Sequence, residues 1–174
     1  MIASLDNRQH IFFIGIAGSG MSALAQYLAG TGKSVSGSDR FFAADQPNET
    51  KDKLEAEGIQ CFFQNGSGIT DKTDLVIAST AVEETNVEIQ KAKTLKIPVL
   101  LRSELLTVIS NTKRTIAVGG TSGKSTTTAL LFDILDHDIG RDIILVGIDK
   151  NIQVIAQLTN NLLLQYIVCL TFFV

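Results

Sequence analysis

Between His10 and Ser110, short strand-like apolar runs alternate with stretches in which apolar residues recur at helical spacing. HIFFIGI (His10–Ile16), KSVSGSD (Lys33–Asp39), IQCFF (Ile59–Phe63), DLVIAST (Asp74–Thr80) and IPVLL (Ile97–Leu101) predict five strands. SGMSALAQYLAGTG (Ser19–Gly32), NETKDKLEAEG (Asn48–Gly58), NVEIQKAKTLK (Asn86–Lys96) and RSELLTVIS (Arg102–Ser110) predict helices, the first two stopped by glycine. Strands that alternate with helices are joined by right-handed crossovers, which give a parallel sheet covered on both faces. The expected class is α/β, a Rossmann-like parallel sheet with helices on both sides.

NTKR (Asn111–Arg114) is a polar break, and after it the cycle restarts. TIAVGG predicts a strand, GKSTTTALLFDILDH a helix and DIILVG (Asp142–Gly147) a further strand. The restart carries its own glycine loop, so a second domain is expected to begin near Lys113. The organisation read from the pattern is a first domain over 8–112, the start of a second over 113–150, and an apolar tail over 151–174 of unassigned fold. That tail contains no charged residue. Gln153, Gln157, Asn160, Asn161 and Gln165 interrupt it and no basic flank precedes it, which argues against a spanning helix. A buried core segment and the aberrant end of a truncated or frame-shifted product are the other two readings.

Composition narrows the class without naming a chemistry. Over 174 residues, 45% hydrophobic and 19% charged residues describe a folded chain. A net charge of −3 argues against a surface for nucleic acid or an anionic membrane, both of which want clustered Lys and Arg. Cys61 and Cys169 stand in no metal or redox spacing and read as buried apolar side chains. The segment MIASLDNRQHIFF has neither a basic start nor a small-residue cleavage site, so the expected compartment is the cytoplasm.

Two glycine loops carry the chemistry. After the first strand, Gly18-x-Gly20-x-x-Ala23 fits the dinucleotide pattern, with Gly15 as a further flexible point. Glycines let the backbone approach a diphosphate, and the following helix start offers unpaired N–H groups. Asp39 ends the second strand 19 residues after Gly20, where a carboxylate can accept from ribose hydroxyls. This loop alone would equally suit a nicotinamide dehydrogenase. The second loop, VGGTSGKSTTT (Val118–Thr128), departs from the general phosphate-loop pattern, since Val118 stands where the first glycine belongs. Its shorter G-T-x-G-K-S form, Gly120 to Ser125, still suits phosphate: backbone N–H groups to cradle oxygens, Lys124 to neutralise charge, Ser125 to ligate Mg²⁺. A dehydrogenase makes no use of it.

GIAGSGMSALAQYL, VSGSD, VIASTAV with Asn86-Val87-Glu88-Ile89, PVLLRSELL and IAVGGTSGKSTTTALL, in that order, resemble the Mur ligases of peptidoglycan synthesis. The likeness runs from about Gln9 to Leu135 and is greatest to the alanine-adding and tripeptide-recycling branches. It implies a Rossmann-like domain for UDP-N-acetylmuramate or a related UDP-muramyl substrate, followed by an ATP-binding central domain. The implied reaction passes the γ-phosphate of ATP to the muramyl carboxylate, and an incoming amine attacks the acyl phosphate. Carried over by position, Gly15, Ala17, Gly18, Ser19, Gly20, Met21 and Ser22 would cradle the diphosphate, and Ser38 and Asp39 would sit by the ribose. Ser79, Thr80 and Ala81 would line the sugar cleft, with Arg102 near the sugar end. Gly120, Thr121, Ser122, Gly123, Lys124, Ser125 and Thr126 would hold ATP, with Lys124 the catalytic cation and Ser125 the Mg²⁺ ligand.

Two departures qualify the resemblance. Alanine-adding members usually carry a His at the position of Ser122 and often one near Asn65. The family's downstream acidic, Asn and His motifs and its amine-binding domain do not follow Leu135. The expectation is therefore a UDP-muramyl-binding part that does not complete ligation by itself, its missing domains absent or on another chain. The alternative is a non-catalytic UDP-sugar-binding module, and a fragment of an interrupted gene is the bland reading.

Overall fold

Strand β1 (His10–Ile14) has four buried residues out of five, an apolar run that suits a strand covered on both faces. It pairs in parallel with β2 (Ser34–Asp39) on one side and β4 (Leu75–Ala78) on the other. β3 (Gln60–Phe63) lies beyond β2 and β5 (Val99–Leu101) beyond β4, so the sheet order is β3-β2-β1-β4-β5. The computed structural model describes residues 4–43, 47–112, 114–118, 123–139, 143–147 and 166–170.

The helices follow from this order. The chain moves outward from β1 through α1 (Ser19–Gly30) to β2 and through α2 (Glu49–Ala56) to β3. It then returns to β4 and moves the opposite way through α3 (Val87–Thr94) to β5. Right-handed crossovers running in opposite directions place their helices on opposite faces. Packing agrees: Phe12 and Ile14 of β1 join Val76, Ala78, Ile69 and the α3 residues Ile89 and Ala92 in one buried cluster. Ile11 and Phe13 alternate to the other face, the side on which α1 buries Met21, Leu24, Ala25 and Leu28 at helical spacing. Truncating a side chain such as Phe12, which is fully buried, costs about 3–5 kcal/mol.

Asparagine side chains start two of the helices. Asn48 accepts from the Thr50 and Lys51 amides ahead of α2, and Asn86 accepts from the Glu88 amide ahead of α3. Asp74 ties the first strand to the fourth: its Oδ2 accepts from the Gln9 and His10 amides at 2.9 and 2.8 Å. Those N–H groups, His10 first, hold its carboxyl below the usual carboxylate range.

The chain divides into two compact units, Met1–Leu105 and Leu106–Val174. The division falls inside α4 (Arg102–Asn111), ahead of the polar break that the pattern marks. The second unit contains β6 (Arg114–Ala117), α5 (Lys124–Ile139), β7 (Ile143–Gly147) and β8 (Tyr166–Leu170). Its parallel sheet has the order β6-β8-β7. The middle strand comes from the apolar tail. YIVCL is rich in aromatic and β-branched residues, and strand pairing on both sides is what such a run suits. Among the described residues no helix is long and apolar enough to cross a membrane.

Candidate functional site

The sheet order reverses between β1 and β4, since the chain leaves β1 toward β2 and later returns to the far side of β1. Crevices beyond the carboxyl ends of strands at such a point are where open α/β sheets bind ligands. A cleft of about 500 Å³ lies there. Gly15, Ala17 and Gly18 line it after β1; Asp39, Arg40 and Phe41 after β2; Gln64 after β3. Ala81, Val82, Glu83, Thr85 and Asn86 line it from the loop between β4 and α3.

The first wall is the glycine loop. β1 ends at Ile14, short of the expected Ile16, because Gly15 adopts a φ of +77°, a left-handed conformation that suits glycine. The Gly15 and Ile16 amides donate to the Ser38 carbonyl at 2.8 and 3.0 Å, and the Ala17 amide donates to Asp39 Oδ2 at 3.1 Å. Gly37 allows this docking, since a Cβ there would stand 2.6 Å from Ile16 Cδ1 and 2.7 Å from the Phe13 carbonyl. The loop is thus hung on the end of β2 by three hydrogen bonds.

Gly18 is different in kind. It is the N-cap of α1, with a φ of −64° open to any residue and no side-chain cap. A Cβ at Gly18 would meet nothing nearer than the Gly15 carbonyl at 3.5 Å. The fold itself does not require glycine there. The Met21 and Ser22 amides close onto the Gly18 carbonyl, while the Ser19 and Gly20 amides have no acceptor among the described loop and cap hydrogen bonds. A helix start with open N–H groups, whose bare N-cap Gly18 lines a cleft, is an anion site in form.

Asp39, only 6% exposed, also lines the cleft. Its Oδ2 takes the Ala17 amide and its Oδ1 the Phe41 amide at 3.0 Å. Each oxygen keeps a further lone pair. Ser38, expected beside a ribose, is fully buried instead. Its register partner is Ile14, which places it on the α3 face of the sheet, and its hydroxyl donates to Glu88 Oε2 at 2.5 Å. Ser38 therefore serves the cleft through its carbonyl, not its hydroxyl.

Glu88 is the residue that sequence reasoning passed over. It lies in the first turn of α3, wholly buried, and among the described residues its Oε1 has no hydrogen-bond partner of ordinary geometry. Burial raises its carboxyl above the usual range, and neighbouring Asp39 adds to the rise. The Ser38 hydroxyl opposes it more weakly, as do the nearby Gly66 amide and Gln64 side chain, which stand outside hydrogen-bond geometry. A charged residue at a helix start reads as a solvent-facing dipole partner in sequence; only its register under Ser38 reveals the burial.

The other expected residues spread around this cleft. Ala81 lines it, presented by a turn in which Ser79 Oγ accepts the Ala81 amide at 3.3 Å. Ser19, Gly20, Met21, Ser22, Thr80 and Arg102 are not among the lining residues, although the first four form the opening turn of α1 behind the loop. In the second unit, Gly123 adopts a φ of +74° and its carbonyl accepts the Thr127 amide at 2.9 Å as α5 begins at Lys124. Thr126 is exposed and Ser125 follows Lys124 in that first turn. Gly120, Thr121 and Ser122 lie outside the described residues. Arg40, Phe41, Gln64, Glu83 and Thr85 were not expected at the site, and Val82 and Asn86 stood in the motifs without an assigned role, but all sit where the ends of β2, β3 and β4 would direct attention.

The profile of the Mur ligase family, catalytic domain, matches residues 10–114, more than half of the chain. The UDP-N-acetylmuramate–L-alanine ligase of Syntrophomonas wolfei subsp. wolfei is 40% identical over 126 residues, 72% of this chain and 26% of that protein. That of Carboxydothermus hydrogenoformans is 41% identical over 138 residues, 79% of this chain and 29% of the relative. The crystal structure of UDP-N-acetylmuramate-alanine ligase from Thermotoga maritima superposes with a TM-score of 0.71 at 30% identity, covering 91% of this chain and 37% of that one. A Neisseria meningitides ligase structure, at 24% identity and a TM-score of 0.73, shares the fold. The chain spans less than a third of the length of those two curated relatives. On the matched profile and these relatives together, the chain belongs to the Mur ligase family.

Proposed function

We propose that the first unit of this chain binds a UDP-muramyl substrate, UDP-N-acetylmuramate or a close relative, as the substrate-holding part of an ATP-dependent Mur ligase of peptidoglycan synthesis. The observation that carries the reading is Gly18, a glycine that the fold does not require, which lines a nucleotide-sized cleft as the N-cap of α1 and is followed by the open Ser19 and Gly20 amides. The diphosphate takes those amides and the helix-dipole charge, worth up to ~2 kcal/mol in a partly buried setting. Asp39, already oriented by two backbone amides, turns its remaining lone pairs to the ribose hydroxyls. The muramyl group extends along the Ala81–Asn86 loop. Ser79, Thr80 and Arg102 act beyond the lining, the first two by shaping that loop.

In the second unit, Gly123 in the left-handed region at the start of a 16-residue helix fits a loop that wraps phosphate. There Lys124 would meet the phosphate charge, Ser125 would ligate Mg²⁺, and Gly120, Thr121, Ser122 and Thr126 would complete the cradle. Bound ATP would supply the phosphoryl group that activates the substrate carboxylate.

The test is calorimetric titration of the 174-residue chain with UDP-N-acetylmuramate, ATP with Mg²⁺, and NADH. UDP-N-acetylmuramate is expected to bind and NADH to leave the chain silent. Heat from NADH in place of the UDP-sugar would sink the proposal.

A further inference from the structure

We propose that Glu88 is a positioning residue for the nucleotide: through Ser38 it sets the glycine loop that receives the diphosphate, and ligand and Glu88 proton bind as a linked pair. The inference rests on the UDP-substrate reading and adds to it a residue that does not line the cleft but governs its occupancy.

A short chain of contacts joins Glu88 to the loop. Its Oε2 accepts the Ser38 hydroxyl at 2.5 Å, and the Ser38 carbonyl accepts the Gly15 and Ile16 amides at 2.8 and 3.0 Å. Asp39, the next residue, accepts the Ala17 amide. Gly15 and Ala17 line the cleft, so the end of β2 fixes the loop and Glu88 fixes the end of β2.

An acceptor for Ser38 need not be an acid. A glutamine would serve, whereas a carboxyl can also take a charge. Here it is wholly buried, and among the described residues no salt bridge reaches it and its Oε1 has no partner of ordinary geometry. The β1 and β4 residues packed against α3, namely Phe12, Ile14, Val76 and Ala78, are apolar. β2 brings Ser38 and the acid Asp39, and the loop after β3 brings Gln64 and Gly66. Lys91, one turn along α3, gives its ammonium to the Gly66 carbonyl at 2.6 Å. Burial and Asp39 both favour the proton on Glu88.

A diphosphate on the loop brings further negative charge to the end of β2, where it repels an ionised Glu88 and not a neutral one. Ligand therefore raises the proton affinity of Glu88, and by reciprocity the protonated chain binds ligand more tightly. Affinity is highest below the free-chain value of this carboxyl, falls as pH rises through it, and levels above the value in the complex. A shift of one unit on binding corresponds to a tenfold fall, and roughly three- to tenfold is expected.

The test is calorimetry of the full chain with UDP-N-acetylmuramate from about pH 5 to 8, in buffers of different ionisation enthalpy. This ligand is chosen because its diphosphate is esterified at both ends and does not titrate there, unlike free UDP. Wild type should take up protons on binding and lose affinity as pH rises. Glu88→Gln should lose this proton uptake and bind at high pH as wild type does at low pH. Ser38→Ala, which cuts the contact to Glu88, should weaken binding at low pH roughly two- to tenfold, the worth of one hydrogen bond. A carboxyl-detected NMR titration of wild type, which needs no variant to fold, should show the Glu88 midpoint rising in the complex. Binding with an unmoved Glu88 midpoint, or with the same proton uptake in Glu88→Gln, overturns the linkage and leaves the UDP-substrate reading standing. Wild-type affinity in Ser38→Ala overturns the positioning role. Failure of wild type to bind UDP-N-acetylmuramate at any pH overturns both readings.

Discussion

Gly18 and Gly37 are both small residues at the cleft, and the reasons differ enough to be measured. An alanine at Gly37 drives its methyl into Ile16 and the Phe13 carbonyl, at 2.6 and 2.7 Å, and the latter belongs to the backbone of the paired strand β1. Gly37→Ala is expected to destabilise the chain by about 1–3 kcal/mol, read as a lower urea midpoint. An alanine at Gly18 meets only ordinary contacts and has an accessible φ. Its cost in stability is no more than about 1 kcal/mol, the difference between Gly and Ala at an N-cap. Binding is where it should fail: a methyl at the open helix start stands in the path of a phosphate, and UDP affinity should drop roughly tenfold or more. Urea titration and calorimetry on the two variants give opposite patterns. Unchanged UDP binding by Gly18→Ala would show that close phosphate approach is not what this glycine serves.

At the scale of elements, the end of β2 and the start of α3 act together. Ser38 hands its carbonyl to the glycine loop and its hydroxyl to Glu88, so a buried carboxyl on one helix braces the loop that opens another. Burial lifts the Glu88 carboxyl above its ordinary value of 4.5, so the folded state holds that proton more tightly than the unfolded one. The stability linked to it is complete below pH 4.5 and is lost as the pH rises through the folded-state value. Glu88→Gln keeps an acceptor for Ser38 and removes the titration. Wild type minus variant stability, from urea melts at stepped pH, should fall across that window and then level. Asp74 runs the other way, its depressed carboxyl withdrawing stability as the pH falls, and the subtraction cancels it. A flat difference across the window would mean that Glu88 is not raised. The elements themselves were readable because strand runs, helical spacing and glycine stops leave periodic marks in sequence. The loop-shaped half of the cleft was not. Val82–Asn86 has no period, and whether Ser38 faces solvent or Glu88 depends on a register with β1 that no local pattern carries. β8 was missed for the same reason, since a strand pairing two distant partners is indistinguishable in sequence from any other short apolar run.

At the scale of the whole molecule, the division into two units gives the UDP-binding reading a spatial test. All the cleft-lining residues belong to Met1–Leu105, whereas the second glycine loop and its sheet belong to Leu106–Val174. A ligand that binds only the folded first unit stabilises that unit by mass action, about 2.7 kcal/mol at a free concentration one hundred times the dissociation constant. Amides that exchange only through opening of the unit should slow by up to roughly a hundredfold, the same energy expressed as a rate ratio. Saturating UDP should therefore protect the β1, β2 and β4 amides, with the largest change at Ala17, Ser19 and Gly20 around the proposed diphosphate. β6, β7 and β8 should exchange as in the free chain. ATP with Mg²⁺ should give the converse pattern, centred on the first turn of α5. Hydrogen exchange followed peptide by peptide distinguishes these outcomes. Protection by UDP that is centred on β6–β8 and leaves the α1 start unchanged would place the nucleotide on the wrong unit, and the assignment of the two glycine loops would have to be exchanged.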